Sequence, residues 1–413
     1  MKINNLTFIV TDDCNFNCSY CFQKKEKKTI SSNVIDTAVD FFYPFLESKD
    51  RIHIGFYGGE PLLAFEQIKH AVQRLQEKNS GENKKIGFSL TTNGSLLTGE
   101  MLDFFNRNRF SLMLSFDGLS QDVSRKQGTF RKIAPLLSQI RAYPGIDFEI
   151  NSVFSPRTIS KFFDSLRFII DLNFFSAFGE QGALFEETAP KRETQCVYPN
   201  FPPYFVENSP AKTFDYSLFL KSSASAPGLN FDLAGGEEWQ PQHINTLKEE
   251  LAKLVDFLVL YHKETGKIPV KNFQGYTPGP GPGIFRCSAG RDHMAVTPGG
   301  DVWGCFLFHD FFKSRQESPQ HRDFYFGTLA DFAAHHKTRY PEILENYADL
   351  RQDFFSVEGD CCFLCPDVRK CMVCPVSAAY ASGSLGKVSC GLCSLNKIQM
   401  QARETFHQRI KNS

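Results

Sequence analysis

Cys14-Asn15-Phe16-Asn17-Cys18-Ser19-Tyr20-Cys21 offers three thiols within eight residues. Three residues separate the first pair and two the second, so one irregular loop can fold its sulfurs around a single inorganic centre. Cysteine thiolates are the usual ligands of iron-sulfur clusters, and a cubane normally takes four. Three protein ligands leave one iron open, able to bind a small molecule instead of only passing electrons. Zinc competes for such thiolates, but a zinc knuckle has its second pair within about 20 residues. The next cysteine here is Cys196. A zinc site assembled from distant pairs and a set of buried structural thiols are the remaining alternatives.

An apolar run at residues 6–10 leads into this loop through Thr11-Asp12-Asp13 and reads as a buried strand. Behind it, Val34, Ala38, Phe41, Phe42 and Phe45 share one helical face, with Ser31, Ser32 or Asn33 as the cap and Pro44 near the stop. The alternation recurs. Further strands are expected at 52–57, 86–91, 112–116, 148–153 and 172–178, and helices after Phe65 and over 98–106, 130–142 and 160–170. Such alternation argues for parallel strands with helices packed outside. The expected fold is α/β, a partial (β/α)6 TIM-like barrel over residues 1–180 with its chemistry at the C-terminal ends of the strands. Residues 181–284 read as an irregular insertion broken by Pro190, Pro199, Pro202, Pro203, Pro210 and Pro227, followed by a helix over 244–264 and a Pro-Gly linker at 277–283. Cys196, alone in that insertion, reads as a spare thiol. A smaller cysteine-rich C-terminal iron-sulfur domain over 285–395 and a C-terminal helix over 396–413 complete the chain.

Lysine plus arginine equal aspartate plus glutamate at 46 each, so no global charge recruits nucleic acid or an anionic membrane. The N-terminus carries no secretory signal, and no apolar run reaches the roughly 18 residues of a membrane span. The expectation is a cytoplasmic protein with no nucleic-acid or membrane partner. In that reducing setting 13 cysteines point to metal or catalysis rather than disulfides. The 42 phenylalanines read mostly as core.

Three cysteines at this spacing, with the aromatic Tyr20 just before the last, resemble the signature of the radical S-adenosylmethionine (SAM) superfamily. The resemblance implies that Cys14, Cys18 and Cys21 bind three irons of a 4Fe-4S cluster, while the amino and carboxylate groups of SAM chelate the fourth. It also implies the incomplete barrel. Gly58-Gly59-Glu60-Pro61, a turn if taken alone, resembles in this position the segment that receives the SAM amino group, with Glu60 as partner. The two glycines let backbone approach a ligand, and Tyr57 with Gly58 completes a phrase common in the peptide-modifying branch. Polar residues collect at the same end of the other strands: Thr91-Thr92-Asn93-Gly94, Ser115-Phe116-Asp117-Gly118 and Asn151-Ser152. The resemblance puts Asn93, Ser115, Asp117 and Asn151 near the SAM methionine, its ribose or the substrate, and Arg125 on the SAM carboxylate. Turn chemistry is the alternative, because Asn-Gly and Asp-Gly are ordinary turn formers.

Nine cysteines follow the linker: Cys287, Cys305, Cys361, Cys362, Cys365, Cys371, Cys374, Cys390 and Cys393, with Gly300 five positions before Cys305. Their order resembles the SPASM extension of radical SAM enzymes that modify peptides and proteins, which typically holds two auxiliary 4Fe-4S clusters. The resemblance implies an inner cluster on Cys287, Cys305 and Cys374. An outer one falls on Cys362, Cys365, Cys371 and either Cys390 or Cys393. The spacing from Cys371 to Cys374 is one residue shorter than the family pattern, and Cys361 and Cys393 are extra to it. Nine thiolates exceed eight ligand places by one, so the inner cluster has either a full fourth ligand or an open iron. Two close pairs between Cys362 and Cys374 also suit a structural zinc.

The implied activity is reductive cleavage of SAM to a 5'-deoxyadenosyl radical that abstracts hydrogen from a residue of a bound ribosomal peptide, leading to a thioether or carbon-carbon crosslink. An electron donor such as flavodoxin or ferredoxin is implied. Because the chain enters its first strand by about residue 6, either a leader-binding domain is expected as a separate protein or the substrate is recognised otherwise. The second expectation is a maturase of the anaerobic sulfatase type, oxidising cysteine or serine to formylglycine. The third is a non-enzymatic electron carrier or zinc-stabilised interaction protein, which has no use for Glu60 and its glycines.

Overall fold

The run before the cysteine loop forms β1 (Asn5–Thr11), buried from Leu6 to Thr11, as a strand covered on both faces must be. The computed structural model describes residues 1–176, 228–275, 287–350, 355–357, 359–371 and 373–412. After β1 come α1 (Ser32–Phe42), β2 (Ile52–Gly58), α2 (Phe65–Asn79), β3 (Ile86–Thr92), α3 (Gly99–Arg107) and β4 (Ser111–Ser115). Of the three offered caps for α1, Ser31 is used, its hydroxyl accepting from the Val34 amide, and Thr98 caps α3 in the same way. The helix expected over 130–142 is two short ones, α4 (Thr129–Ile133) and α5 (Leu136–Arg141), because Pro135 has no N–H to continue the ladder. β5 (Asp147–Phe154) and α6 (Phe162–Ser176) follow.

The sixth strand is not at 172–178. Residues up to Ser176 continue α6, whose buried Phe162, Leu166, Ile169 and Ile170 recur at helical spacing, and 177–178 lie outside the described residues. The sixth strand is β6 (Gly228–Leu233), inside the stretch expected to be irregular, with Leu229 and Phe231 buried at period two. The barrel therefore extends past residue 180. Its six strands lie in sequence order, every neighbouring pair parallel. Phe8, Phe56 and Phe88, from β1, β2 and β3, stack in turn with ring centroids 6.2 and 6.4 Å apart, forming part of the core beneath the strand ends.

Beyond β6, α7 (Pro241–Thr265) packs on α6. The expected linker at 277–283 and Cys196 lie outside the described residues. β7 (His293–Val296) then pairs in parallel with the free edge of β1, and β8 (Asp301–Trp303) and β9 (Tyr325–Thr328) add on in antiparallel fashion. The segment expected to form a separate domain from residue 285 thus continues the barrel's own sheet. α8 (Phe306–Phe312) lies between β8 and β9, and α9 (Leu329–Asp349) and α10 (Pro375–Ser382) follow. The last helix, α11 (Cys390–Lys411), starts six residues before the expected 396, capped by Ser389, and packs on α7 with Arg409 2.5 Å from Asp256. Among the described residues no helix is long and apolar enough to cross a membrane.

Candidate active site

The cysteine loop leaves β1 through a chain of local hydrogen bonds. The Asp13 amide donates to Thr11 Oγ1 at 3.1 Å, the Cys14 amide to Asp13 Oδ1 at 2.8 Å and the Phe16 amide to Cys14 Sγ at 3.4 Å. Burial pushes the Cys18 thiol up to about 11, against the pull of the Arg125 charge, while Cys21 and Cys14 push it further up. Cys14 is raised by burial as well. The three thiols of the motif are therefore electrostatic neighbours in a half-buried loop. Gly58 and Gly59 serve this loop directly: a Cβ on Gly58 (φ +144°) would meet Thr11 O at 2.0 Å, and one on Gly59 would meet Asp13 O at 2.2 Å and Cys14 Cβ at 2.9 Å. The backbone they admit is that of the cysteine loop itself. The Gly59 amide donates to Thr11 O and the Glu60 amide to Asp13 O.

Glu60 is buried, and its Oε1 accepts from the Leu62 amide at 3.1 Å and Thr92 Oγ1 at 2.6 Å, its Oε2 from the Asn93 amide at 2.8 Å. Burial raises its carboxyl, only partly offset by these donors. One acceptor position of Oε2 remains. Asn93 continues the network: its Nδ2 donates to Asn15 Oδ1 at 2.9 Å, and Asn15 Nδ2 donates to Ser95 Oγ at 2.8 Å. Asn15 was a spacer in the sequence motif; here it ties the loop to the end of β3.

Asp117 and Arg125 pair with each other. Arg125 forks onto Asp117, Nε to Oδ2 and Nη2 to Oδ1, both at 2.9 Å. Tyr20 Oη donates to Oδ2 and the Val153 amide to Oδ1, each also at 2.9 Å. All acceptor positions of this buried carboxylate are used inside the protein, and Asp117 braces the cysteine loop. Arg125 spends two of its donors on that brace and keeps the others, with its charge acting on Cys18 and Glu60. Ser115, Asn151 and Asn230 align across β4, β5 and β6, and Asn151 Nδ2 donates to Asp232 Oδ2 at 3.0 Å. Burial raises the Asp232 carboxyl. Asn230 and Asp232 went unnoticed because their strand did.

The later cysteines fall into two groups. Cys287 lies before β7, Cys305 caps α8 and Cys374 caps α10. Burial pushes Cys287 up to about 11 and raises Cys305 strongly, and Cys374 adds to both. Tyr57 is within electrostatic reach of both Cys21 and Cys305, Tyr380 of Cys21 and Cys374, and Asp310 of Cys305. The Tyr57 and Phe306 rings lie 3.9 Å apart and those of Phe22 and Tyr380 4.6 Å. The second group, Cys361, Cys362, Cys365, Cys371 and Cys393, lines a cavity of about 410 Å³. Asn396 Nδ2 donates to Cys371 Sγ at 3.1 Å. Cys393 faces this cavity, whereas Cys390, at the start of α11, is exposed.

Residues 8–169, from β1 into α6, match the radical SAM superfamily. That stretch, 162 of the 413 residues, carries a radical SAM domain. A cysteine-type anaerobic sulfatase-maturating enzyme of Clostridium perfringens is 29% identical over 157 residues, 35% of this chain and 42% of that protein. The radical SAM cyclopropyl synthase TigE of Paramaledivibacter caminithermalis is 25% identical over 134 residues, 28% of this chain and 27% of that protein. The chain thus matches less than half the length of either relative. The solved structure of native anSMEcpe with bound AdoMet and Kp18Cys peptide has the same fold, with a TM-score of 0.66 at 19% identity over 100% of both chains. Radical SAM proteins of this kind are enzymes that use SAM and a 4Fe-4S cluster. The residues present fit both groups: three thiols in one loop, a glycine with no room for a Cβ against Cys14, and a buried carboxylate with an acceptor position left. Among the described residues no three His, Cys, Asp or Glu side chains gather as a single-ion site.

Proposed function

We propose that this radical SAM enzyme modifies a residue of a ribosomally made peptide, forming a thioether or carbon-carbon crosslink. The observation that carries this reading is the neighbourhood of the second thiol group: β7 joins the free edge of β1, Tyr57 is within electrostatic reach of Cys21 and Cys305, and Tyr380 of Cys21 and Cys374. Two thiol groups that share such neighbours suit a substrate residue held between two centres. Cys14, Cys18 and Cys21 hold the 4Fe-4S cluster, which with SAM supplies the 5'-deoxyadenosyl radical. Glu60 Oε2 accepts from the SAM amino group, and Ser115, Asn151 and Asp232 offer polar groups to SAM or to the peptide backbone. The rings of Phe22, Tyr57, Phe306 and Tyr380 keep water from the reacting carbon. Cys287, Cys305 and Cys374 hold an inner auxiliary cluster, and Cys362, Cys365, Cys371 and Cys393 an outer one, with Cys361 in reserve. A flavodoxin or ferredoxin donates the electron.

A second reading is favoured by the likeness to the Clostridium perfringens maturase: oxidation of cysteine or serine to formylglycine on an unfolded protein. Both are tested on enzyme reconstituted without oxygen. About twelve irons per chain and 5'-deoxyadenosine formed from SAM and dithionite support the barrel site with two auxiliary clusters. Mass spectrometry then separates the substrates. A crosslink that survives reduction and alkylation in a cysteine-rich peptide encoded beside the gene supports the first reading. A hydrazide-reactive aldehyde in a sulfatase-derived peptide, with no crosslink, replaces it by the second.

A further inference from the structure

The cysteine loop and the helix that follows Cys305 are joined by a buried cation. Lys313 ends α8, and its side chain is 8% exposed. Its Nζ lies 2.8 Å from Asp12 Oδ2, on the strand side of the cysteine loop, where the Asp12 side chain is 6% exposed. The same ammonium donates to the Lys24 carbonyl at 3.0 Å and stands 3.6 Å from Glu26, both on the far side of the loop. The two sides are also paired with each other, the Glu26 amide donating to Asp12 O and the Asp12 amide to Lys28 O. His309, one turn earlier on α8, approaches Asp12 Oδ1 at 3.5 Å, and Gln23 Nε2 donates to Asp310 Oδ2 at 3.1 Å. Apart from the two backbone bonds within the loop's own flanks, these links run between residues flanking Cys14–Cys21 and residues 309–313 after Cys305, none through a thiol.

We propose that Lys313 is a positioning residue that fixes the N-terminal cysteine loop relative to the inner auxiliary thiols, and so sets the gap in which the substrate residue sits. The inference rests on the proposed inner centre at Cys287, Cys305 and Cys374. A surface pair would be too weak for this task. A desolvated cation shared by an acid and a carbonyl from both sides of one loop holds its partners in a single arrangement, because any opening leaves charge buried without a partner.

The test uses the iron-loaded enzyme. Lys313→Met strands the Asp12 charge and can unfold the chain, so the double variant Asp12→Asn/Lys313→Met removes both charges together, and Lys313→Arg restores the cation. In the double variant iron and sulfide stay at the wild-type level and deoxyadenosine is still formed. Product per deoxyadenosine falls roughly tenfold to a hundredfold, as displacement of a reacting group does. The electron paramagnetic resonance broadening between the two reduced clusters weakens, and Lys313→Arg regains both. Unchanged broadening and unchanged coupling of product to deoxyadenosine in a fully loaded double variant overturn the proposal. If the wild type carries iron only at the N-terminal cysteines, the inner centre fails, and amide exchange over residues 22–28 still decides the role of Lys313. Faster exchange there in the double variant, reversed by Lys313→Arg, sustains it; identical exchange overturns it.

Discussion

Asp117 can accept at four positions, and Arg125, Tyr20 and the Val153 amide fill them. The Tyr20 hydroxyl is the donor that reaches across from the cysteine loop, so the residue between Cys18 and Cys21 is held to the end of β4 by a charge-assisted bond. Tyr20→Phe removes that bond and leaves a buried carboxylate one donor short. The expected loss is about 2 kcal/mol, read as a lower urea midpoint, with faster iron release from the N-terminal cluster at unchanged binding of iron elsewhere. A variant as stable and as slow to lose iron as the wild type would show that the ring alone positions the loop. The role of Asp117 was not legible in the sequence: an Asp-Gly after a strand looks the same whether its carboxylate meets a ligand or a neighbouring arginine. The thiol spacing was legible, because three ligands on one short loop need no tertiary partner to come together.

At the scale of elements, β1 to β5 could be read from apolar runs because a parallel strand covered by helices leaves few polar positions. β6 could not, since only Leu229, Phe231 and Leu233 are apolar in a six-residue strand whose exposed side carries site residues. α6 was cut short for a related reason: Asp171, near its end, is a polar residue placed where burial is deep. Burial pushes the Asp171 carboxyl up to about 6, with Arg167 offsetting only part of the effect. An unfolded aspartate titrates near 3.9, so between about pH 4 and pH 6 the native state holds a proton that the unfolded chain has released. Stability then falls as pH rises through that window and stays lower above it. Asp171→Asn removes the ionisable group. It should gain about 3 kcal/mol at pH 7 and little below pH 4, with thermal melts across pH 3.5–7.5 as the measurement. A variant that melts in parallel with the wild type at every pH would place the Asp171 titration at its unfolded value.

Across the whole molecule, the barrel and the cysteine-rich part are held by different physics. β1 to β6 and their helices bury a continuous apolar core that Phe355, Val368, Val376, Leu385 and Val388 extend, but among the described residues of 355–393 the regular structure is two-residue strands, a short 3-10 turn, the eight-residue α10 and the start of α11 around a thiol-lined cavity. Short elements of this kind bury too little apolar surface to offset the cost of ordering the chain. In small metal-bound folds the ligation free energy is folding free energy. Removing iron with a chelator under reducing conditions should therefore raise amide exchange over residues 359–371 by orders of magnitude, as local opening becomes cheap. Protection in β1 to β5 should remain, and the far-ultraviolet helix signal should fall only slightly. β7 belongs to the barrel's sheet and should keep its protection, which separates this outcome from loss of everything after residue 285. Equal protection with and without iron over 359–371 would mean that the five thiols are packed without metal, and the outer cluster would be withdrawn from the proposed function. Loss of protection throughout the chain would instead make the N-terminal cluster the keystone of the barrel, joined to the rest through Asp12 and Lys313.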